Sequence, residues 1–352
     1  MTIDFWPHFN GYQLSPDREL LLQAALGDDS TVLTAWERWQ SSVDIEVLDS
    51  HSYQLLPQLY QNLLAHGVEH PHMARLKGIY RRNWCANRLQ IAALNRLLSD
   101  LKDIGIEAIV LGEVAHSSVE NYRQISSFRL LVRERDLERA IQHLTALNWN
   151  SCDDRSLTAI NLQDDRHHSL YLQGRLFWAI PQAHTDELVW QYATPRADDL
   201  VGWQLSATDL LLNLCAQMFF KHAEPQLEDL ATAMLLMKPG SNLDWLRLIA
   251  QAQRYQLILP VKNTIWLLER VLQVSPPEWV LPALWQMPIS QLELLNYRVL
   301  AGDLQGWRQS QLAFASARLN QLFAPIRQLR YRPFPGRQIL KNLLKPTTSA
   351  LE

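Results

Sequence analysis

The chain has 352 residues, 47% hydrophobic and 20% charged, with a formal net charge of −3. That length suits two or three compact domains of ordinary globular composition. The near-neutral balance gives no bulk attraction to nucleic acid. Cys85, Cys152 and Cys215 are far apart and odd in number. They exclude a disulfide framework or a zinc spacing and are expected as free, buried thiols in a reducing cytoplasm.

Met1 to Trp6 has no basic region followed by an apolar run, so no signal peptide is expected. No apolar stretch of about 18 residues is present, and a transmembrane segment is not expected. The most hydrophobic run, Leu210 to Phe220, is interrupted by Asn213 and Gln217. Thirteen tryptophans are expected to fill the core and the helix seams.

Residues 16–100 read as helices. Pro16-Asp17-Arg18-Glu19 opens one, with proline early in the helix. Gly27 to Ser30 is a turn followed by an N-cap cluster. Ser52 to Leu64 carries Leu55, Leu56, Leu59, Tyr60 and Leu63 on one side. Ile91, Leu94, Leu98 and Leu101 recur at three- and four-residue steps, the mark of an amphipathic helix. Gly105 is placed to end it as a C′ glycine.

The period then changes. Ile106 to Leu111 is an almost unbroken apolar run, expected as a strand covered on both faces. Phe128, Leu130 and Val132 alternate with Arg129, Leu131 and Arg133, which predicts a second strand. Asp136 is placed to cap a helix through Leu147. Leu157 to Leu162, Ser169 to Leu172 and Arg175 to Ile180 are further strand candidates, with Gln173-Gly174 as a hairpin turn. Asp164-Asp165 reads as a turn between strands. His167 and His168 are adjacent, so on a strand they face opposite sides. Ser117 and Ser118 have no His and Asp at an interpretable spacing.

From Ser206 the pattern is helical again, opening on Ser206-x-x-Asp209, a variant of the capping box. Gln226 to Met237, Leu243 to Gln256 and Pro260 to Val274 continue as helices until Pro276-Pro277. The tail from Leu304 to Leu351 has no acidic residue. It carries Arg308, Arg318, Arg327, Arg330, Arg332, Arg337, Lys341 and Lys345, with Tyr331, Phe334 and Leu340 interleaved.

The order of these pieces resembles the uncharacterised bacterial nucleotidyltransferase family of the polymerase-β-like superfamily, over about residues 17 to 275. Leu56-Pro57-Gln58-Leu59-Tyr60 is similar to the Pro-Leu-Leu-Tyr part of a family motif, and Ala65-His66-Gly67-Val68 follows it. Leu101 to Ile106 leads into the strand Ile109-Val110-Leu111. Leu111-Gly112-Glu113 stands where the family has Leu-Lys-Gly, followed by Tyr122 and Arg123. Ser127-Phe128-Arg129-Leu130-Leu131-Val132 then stands in place of Asp-Ile-Asp-Leu-Leu-Val. His168 and Gly174 match, and Phe177 to Pro181 takes the place of Val-Glu-Leu-His-Trp. Leu214-Cys215, Asp229-Leu230-Ala231 and Asp244-Trp245 stay close to the family pattern.

The resemblance implies an α+β fold: a small mixed-sheet core over 96–200, an N-terminal helical region over 1–95, a C-terminal helical domain over 201–303, and the basic tail over 304–352. It also implies that the three metal-holding carboxylates map to Ser127, Arg129 and Trp178, none of which can replace a carboxylate. Nucleotidyl transfer places carboxylate-held Mg²⁺ between triphosphate and acceptor. The glycine of the phosphate-cradling turn maps to Glu113, whose charge repels a triphosphate.

The expected protein is therefore a catalytically degenerate nucleotidyltransferase that binds an unknown protein or an anionic ligand. Gly112, Glu113, Arg123, Arg129 and His168 are its candidate ligand-binding residues. No metal site and no cofactor are expected; Mg²⁺ and ATP enter only under the alternative of an active, rearranged site. A second alternative assigns binding of nucleic acid or another anionic partner to the tail, through Arg327, Arg330, Arg332, Arg337, Lys341 and Lys345. A cytoplasmic location is expected.

Overall fold

A computed structural model describes residues 14–115, 124–152, 158–177, 186–196, 200–221, 226–238, 240–291 and 293–294. Three short helices come first: α1 (Pro16–Leu26), α2 (Val32–Ser42) and α3 (Ser50–Ala65). Pro16 sits at the start of α1, where its missing N–H has no partner to lose. Asp49 caps α3, its carboxylate accepting from the N–H groups of His51 and Ser52. The long α4 (His72–Asp103) follows. It ends as its sequence predicts, with Gly105 at φ +72° one residue beyond the cap.

The sheet has seven strands: β1 (Ala108–Leu111), β2 (Phe128–Val132), β3 (Asn150–Ser151), β4 (Ala159–Gln163), β5 (Ser169–Gln173), β6 (Thr194–Pro195) and β7 (Trp203–Gln204). Their order is β3-β4-β5-β2-β1-β7-β6. β2 runs antiparallel to β1 and parallel to β5, so the sheet is mixed. The helix α5 (Leu137–Ala146) follows β2.

Strand alternation decides what each face covers. Phe128, Leu130 and Val132 join Leu170, Leu172, Leu94, Leu98 and Ile141 in one apolar core, between the sheet and helices α4 and α5. Leu131, Ile109 and Leu111 face the other way, into a larger core built by helices from both ends of the chain. Those from the C-terminal part are α6 (Asp186–Tyr192), α7 (Ala207–Lys221), α8 (Leu227–Met237), α9 (Trp245–Arg254), α10 (Ile258–Leu272) and α11 (Val280–Gln286). α1 packs on α10 and α3 on α8, so the two helical regions share one interior. Fully buried leucines such as Leu21, Leu56, Leu59 and Leu63 each contribute about 2 kcal/mol there. The fold is α+β.

Several local expectations are corrected. Residues 175–177 form a turn rather than a strand, and 178–180 lie outside the described residues. Gln173-Gly174 is not a hairpin turn, because β5 already has β2 on one side and β4 on the other and leaves no edge to pair. Asp136 does not cap α5 with its side chain. A 3-10 turn over Glu134–Asp136 leads into the helix, and the Asp136 carboxylate accepts from Arg139 at 3.1 Å.

Two of the three cysteines, Cys85 and Cys152, are exposed; Cys215 is buried, and burial pushes its thiol up to about 12. The tryptophans divide. Trp36, Trp39, Trp149 and Trp190 are buried, whereas Trp84, Trp266, Trp279 and Trp285 are exposed. Three of the exposed four lie under a cation, Arg88, Arg270 and Lys262 in turn, which suits a half-solvated indole. Among the described residues, no helix is long and apolar enough to cross a membrane.

Candidate functional site

The site lies where β1 turns towards β2. After Leu111 the chain enters a 3-10 turn over Gly112–Val114, with Gly112 at φ +71°. That conformation favours glycine, and here the space above it is taken as well. A Cβ on Gly112 would lie 3.0 Å from Arg129 Cδ. The Arg129 stem therefore lies across the turn that the resemblance assigns to cradling a phosphate.

Sheet register fixes the neighbours of Arg129: Leu111 on β1 and Tyr171 on β5. Its guanidinium carbon stands 5.7 Å from the centre of the Tyr171 ring. Nη1 donates to Gln217 Oε1 on α7 at 2.7 Å. Burial raises the Tyr171 phenol above its ordinary range, against the opposing charge of Arg129. Ser127, half-buried, occupies the bend just before β2. The approach to the bend is pinned to α4, where Asn87 Oδ1 accepts from the Ile125 N–H at 2.9 Å. Glu113 Oε1 accepts from the Ser126 hydroxyl at 3.1 Å. On the far side of the turn, the buried Arg196 donates to the Val114 carbonyl at 2.8 Å.

A two-metal centre needs several carboxylates converging on ions about 4 Å apart. Among the described residues, no group of three or more His, Cys, Asp or Glu could hold a metal ion. Gly112, Glu113, Ser127 and Arg129 come together at the turn. Trp178, the expected third position, lies outside the described residues, as do Arg123, Ser117, Ser118 and the six basic tail residues. The residue that β5 sets beside Arg129 is Tyr171.

His168 is held elsewhere. Its Nδ1 lies 2.7 Å from Asp164 Oδ2, and its N–H donates to Asp164 Oδ1 at 2.8 Å. Its ring stacks on Phe128, with centroids 5.7 Å apart and planes 26° apart. Phe128 faces the opposite side of β2 from Arg129, so His168 does not converge with it. The Asp164 turn between β4 and β5 forms as its sequence predicts. The residues that sequence reading missed are Gln217 and Tyr171. Gln217 had left one sign, as a polar interruption of the most apolar run in the chain.

The mixed sheet flanked by helices agrees with the α+β fold that the resemblance implies. The model of a family described as an uncharacterised nucleotidyltransferase matches residues 48–273. That is well over half of the chain, and the chain belongs to this family. No curated protein matches it.

Proposed function

We propose that this family member is catalytically degenerate and binds an anionic ligand or partner group at Arg129 without a metal ion. The observation that carries the reading is the placement of Arg129, its stem over Gly112 and its guanidinium between Tyr171 and Gln217. A divalent metal ion about 4 Å from a guanidinium meets a repulsion of about 8 kcal/mol at an intermediate dielectric. The same charge suits a phosphate or carboxylate, which Arg binds in a planar, two-pronged manner. Ser127 stands at an expected carboxylate position, and Tyr171 adds a phenol beside Arg129.

Calorimetric titration with inorganic phosphate and with ATP, each with and without Mg²⁺, tests this. Binding is expected without Mg²⁺, weakened about tenfold or more by Arg129→Ala, in line with the loss of a charge-assisted hydrogen bond. Mg²⁺-dependent ATP binding with transfer of a labelled nucleotide to an acceptor in lysate would establish an active, rearranged site instead.

A further inference from the structure

A cavity of about 480 Å³ reaches Ala115, the residue that follows the Gly112–Val114 turn. Ala115 forms part of its wall, with the ends of α6 and α8, the start of α7, and β6 and β7. The volume lies in the range of small-molecule sites. Its polar lining is Tyr192, Thr194, Gln204, Ser206, Lys238, Ser241 and Asn242, and Leu210 and Leu236 add apolar surface. Among the described residues no carboxylate lines it, and Lys238 is its one cationic side chain.

The wall of this cavity is held more firmly than a helix cap requires. As a cap on α7, Ser206 needs only to accept from the Asp209 N–H, which it does at 3.2 Å. Its hydroxyl also donates to Asp209 Oδ2 at 2.5 Å and accepts from Arg247 Nη2. Arg247 Nη1 donates to the same carboxylate oxygen at 3.1 Å. The Arg247 guanidinium then stacks on the Tyr192 ring, 3.9 Å from its centre. Asp209 is 1% exposed, and burying such a pair carries a desolvation penalty that a hydroxyl cap alone avoids. What the chain gains is a fixed Ser206 and a fixed aromatic ring at the cavity wall, which lowers the cost of ordering the site around a ligand.

The lining selects the ligand by chemistry. One cation is too few for a triphosphate, and the hydroxyl and amide groups disfavour a purely apolar guest. A flat aromatic face beside several neutral donors and acceptors matches a ring that carries hydroxyl groups. We infer that this cavity binds a neutral or singly anionic hydroxylated ring, a pyranose or a nucleoside, stacked on Tyr192. Its hydroxyls exchange hydrogen bonds with Thr194, Ser241 and Asn242, and Lys238 accommodates one negative group. This goes beyond the reading of Arg129 and does not depend on it.

Glucose, N-acetylglucosamine, adenosine and uridine, each at about 10 mM, are the probes, chosen for millimolar affinity. They are tested on the full chain by thermal shift and ligand-observed NMR. At about tenfold saturation, one probe class raises Tm by about 2 °C, and which class it is separates the sugar from the nucleoside source. Tyr192→Phe keeps the shift, whereas Tyr192→Ala abolishes it. Ser241→Trp, which fills the cavity from a surface loop, also abolishes it and covers the case in which Tyr192→Ala fails to fold. Arg129→Ala leaves it unchanged. The inference is overturned if no probe binds, or if binding survives Ser241→Trp. Loss of binding in Arg129→Ala would overturn it too, by moving the probe to the other site and leaving the reading of Arg129 standing.

Discussion

Two arginines lie over tyrosine rings, and they are built differently. Arg247 lies over Tyr192 at 3.9 Å and donates to the buried carboxylate of Asp209. Arg129 lies over Tyr171 at 5.7 Å and donates to the amide of Gln217. Burial pushes the Asp209 carboxyl up, against the hydrogen bond from Ser206 and the charge of Arg247. Arg247 thus belongs to a buried polar network whose parts need one another. Arg129 lies half-buried on β2, its stem across the Gly112 turn, and donates to a neutral amide. Residue type alone does not separate the two settings; the groups each arginine donates to do.

The largest expected effect breaks the first network. Asp209→Ala leaves Arg247, whose side chain is 12% exposed, without its carboxylate. It should cost about 3–5 kcal/mol in urea unfolding, against about 1 kcal/mol for Arg129→Ala. Equal costs would end the contrast between the two arginines. A smaller effect sharpens the second site. Gly112→Ala is expected to cost about 1–2 kcal/mol, from a left-handed backbone and from contact with the Arg129 stem. In an Arg129→Ala background the contact part disappears and the backbone part stays, a coupling of about 0.5–1 kcal/mol in a double-mutant cycle. Strict additivity would show that the stem does not press on the turn.

The smallest effect lies on the other face of β2. At Asp164 burial pushes the carboxyl up, but the hydrogen bonds and charge of His168 outweigh it and hold the carboxyl below its ordinary range. A carboxyl depressed in the folded state adds stability above its unfolded pKa of about 4, and that stability is lost as pH falls through the folded value. Melting temperature followed from about pH 6 to pH 2 should fall less steeply for Asp164→Asn than for the parent chain. Parallel curves would show that the His168 turn adds nothing to acid stability.

Much of the fold was legible because it is written in local periods. The stripe of Leu94, Leu98 and Leu101, the stop at Gly105 and the apolar run before Leu111 are all where their spacing placed them. So are the alternation from Phe128 to Val132 and the Ser206 cap. The site was legible only on its two flanks, at Gly112-Glu113 and Ser127-Arg129. Gln217 lies 88 positions from Arg129 and Tyr171 lies 42, and nothing in either local pattern announces the meeting. His168 looked like a member of the site until Phe128 placed it on the opposite face.

By itself the sequence determined the longer helices, the strands β1, β2, β4 and β5, and the glycine stop after α4. These follow from backbone sterics and from side-chain chemistry over a few residues. Only the tertiary structure decided that β5 lies beside β2, that Tyr171 and Gln217 surround Arg129, and that helices from both ends of the chain share one core. An apolar stripe states that a face must be buried but not against what. Pairing between distant segments is settled by packing the whole chain at once.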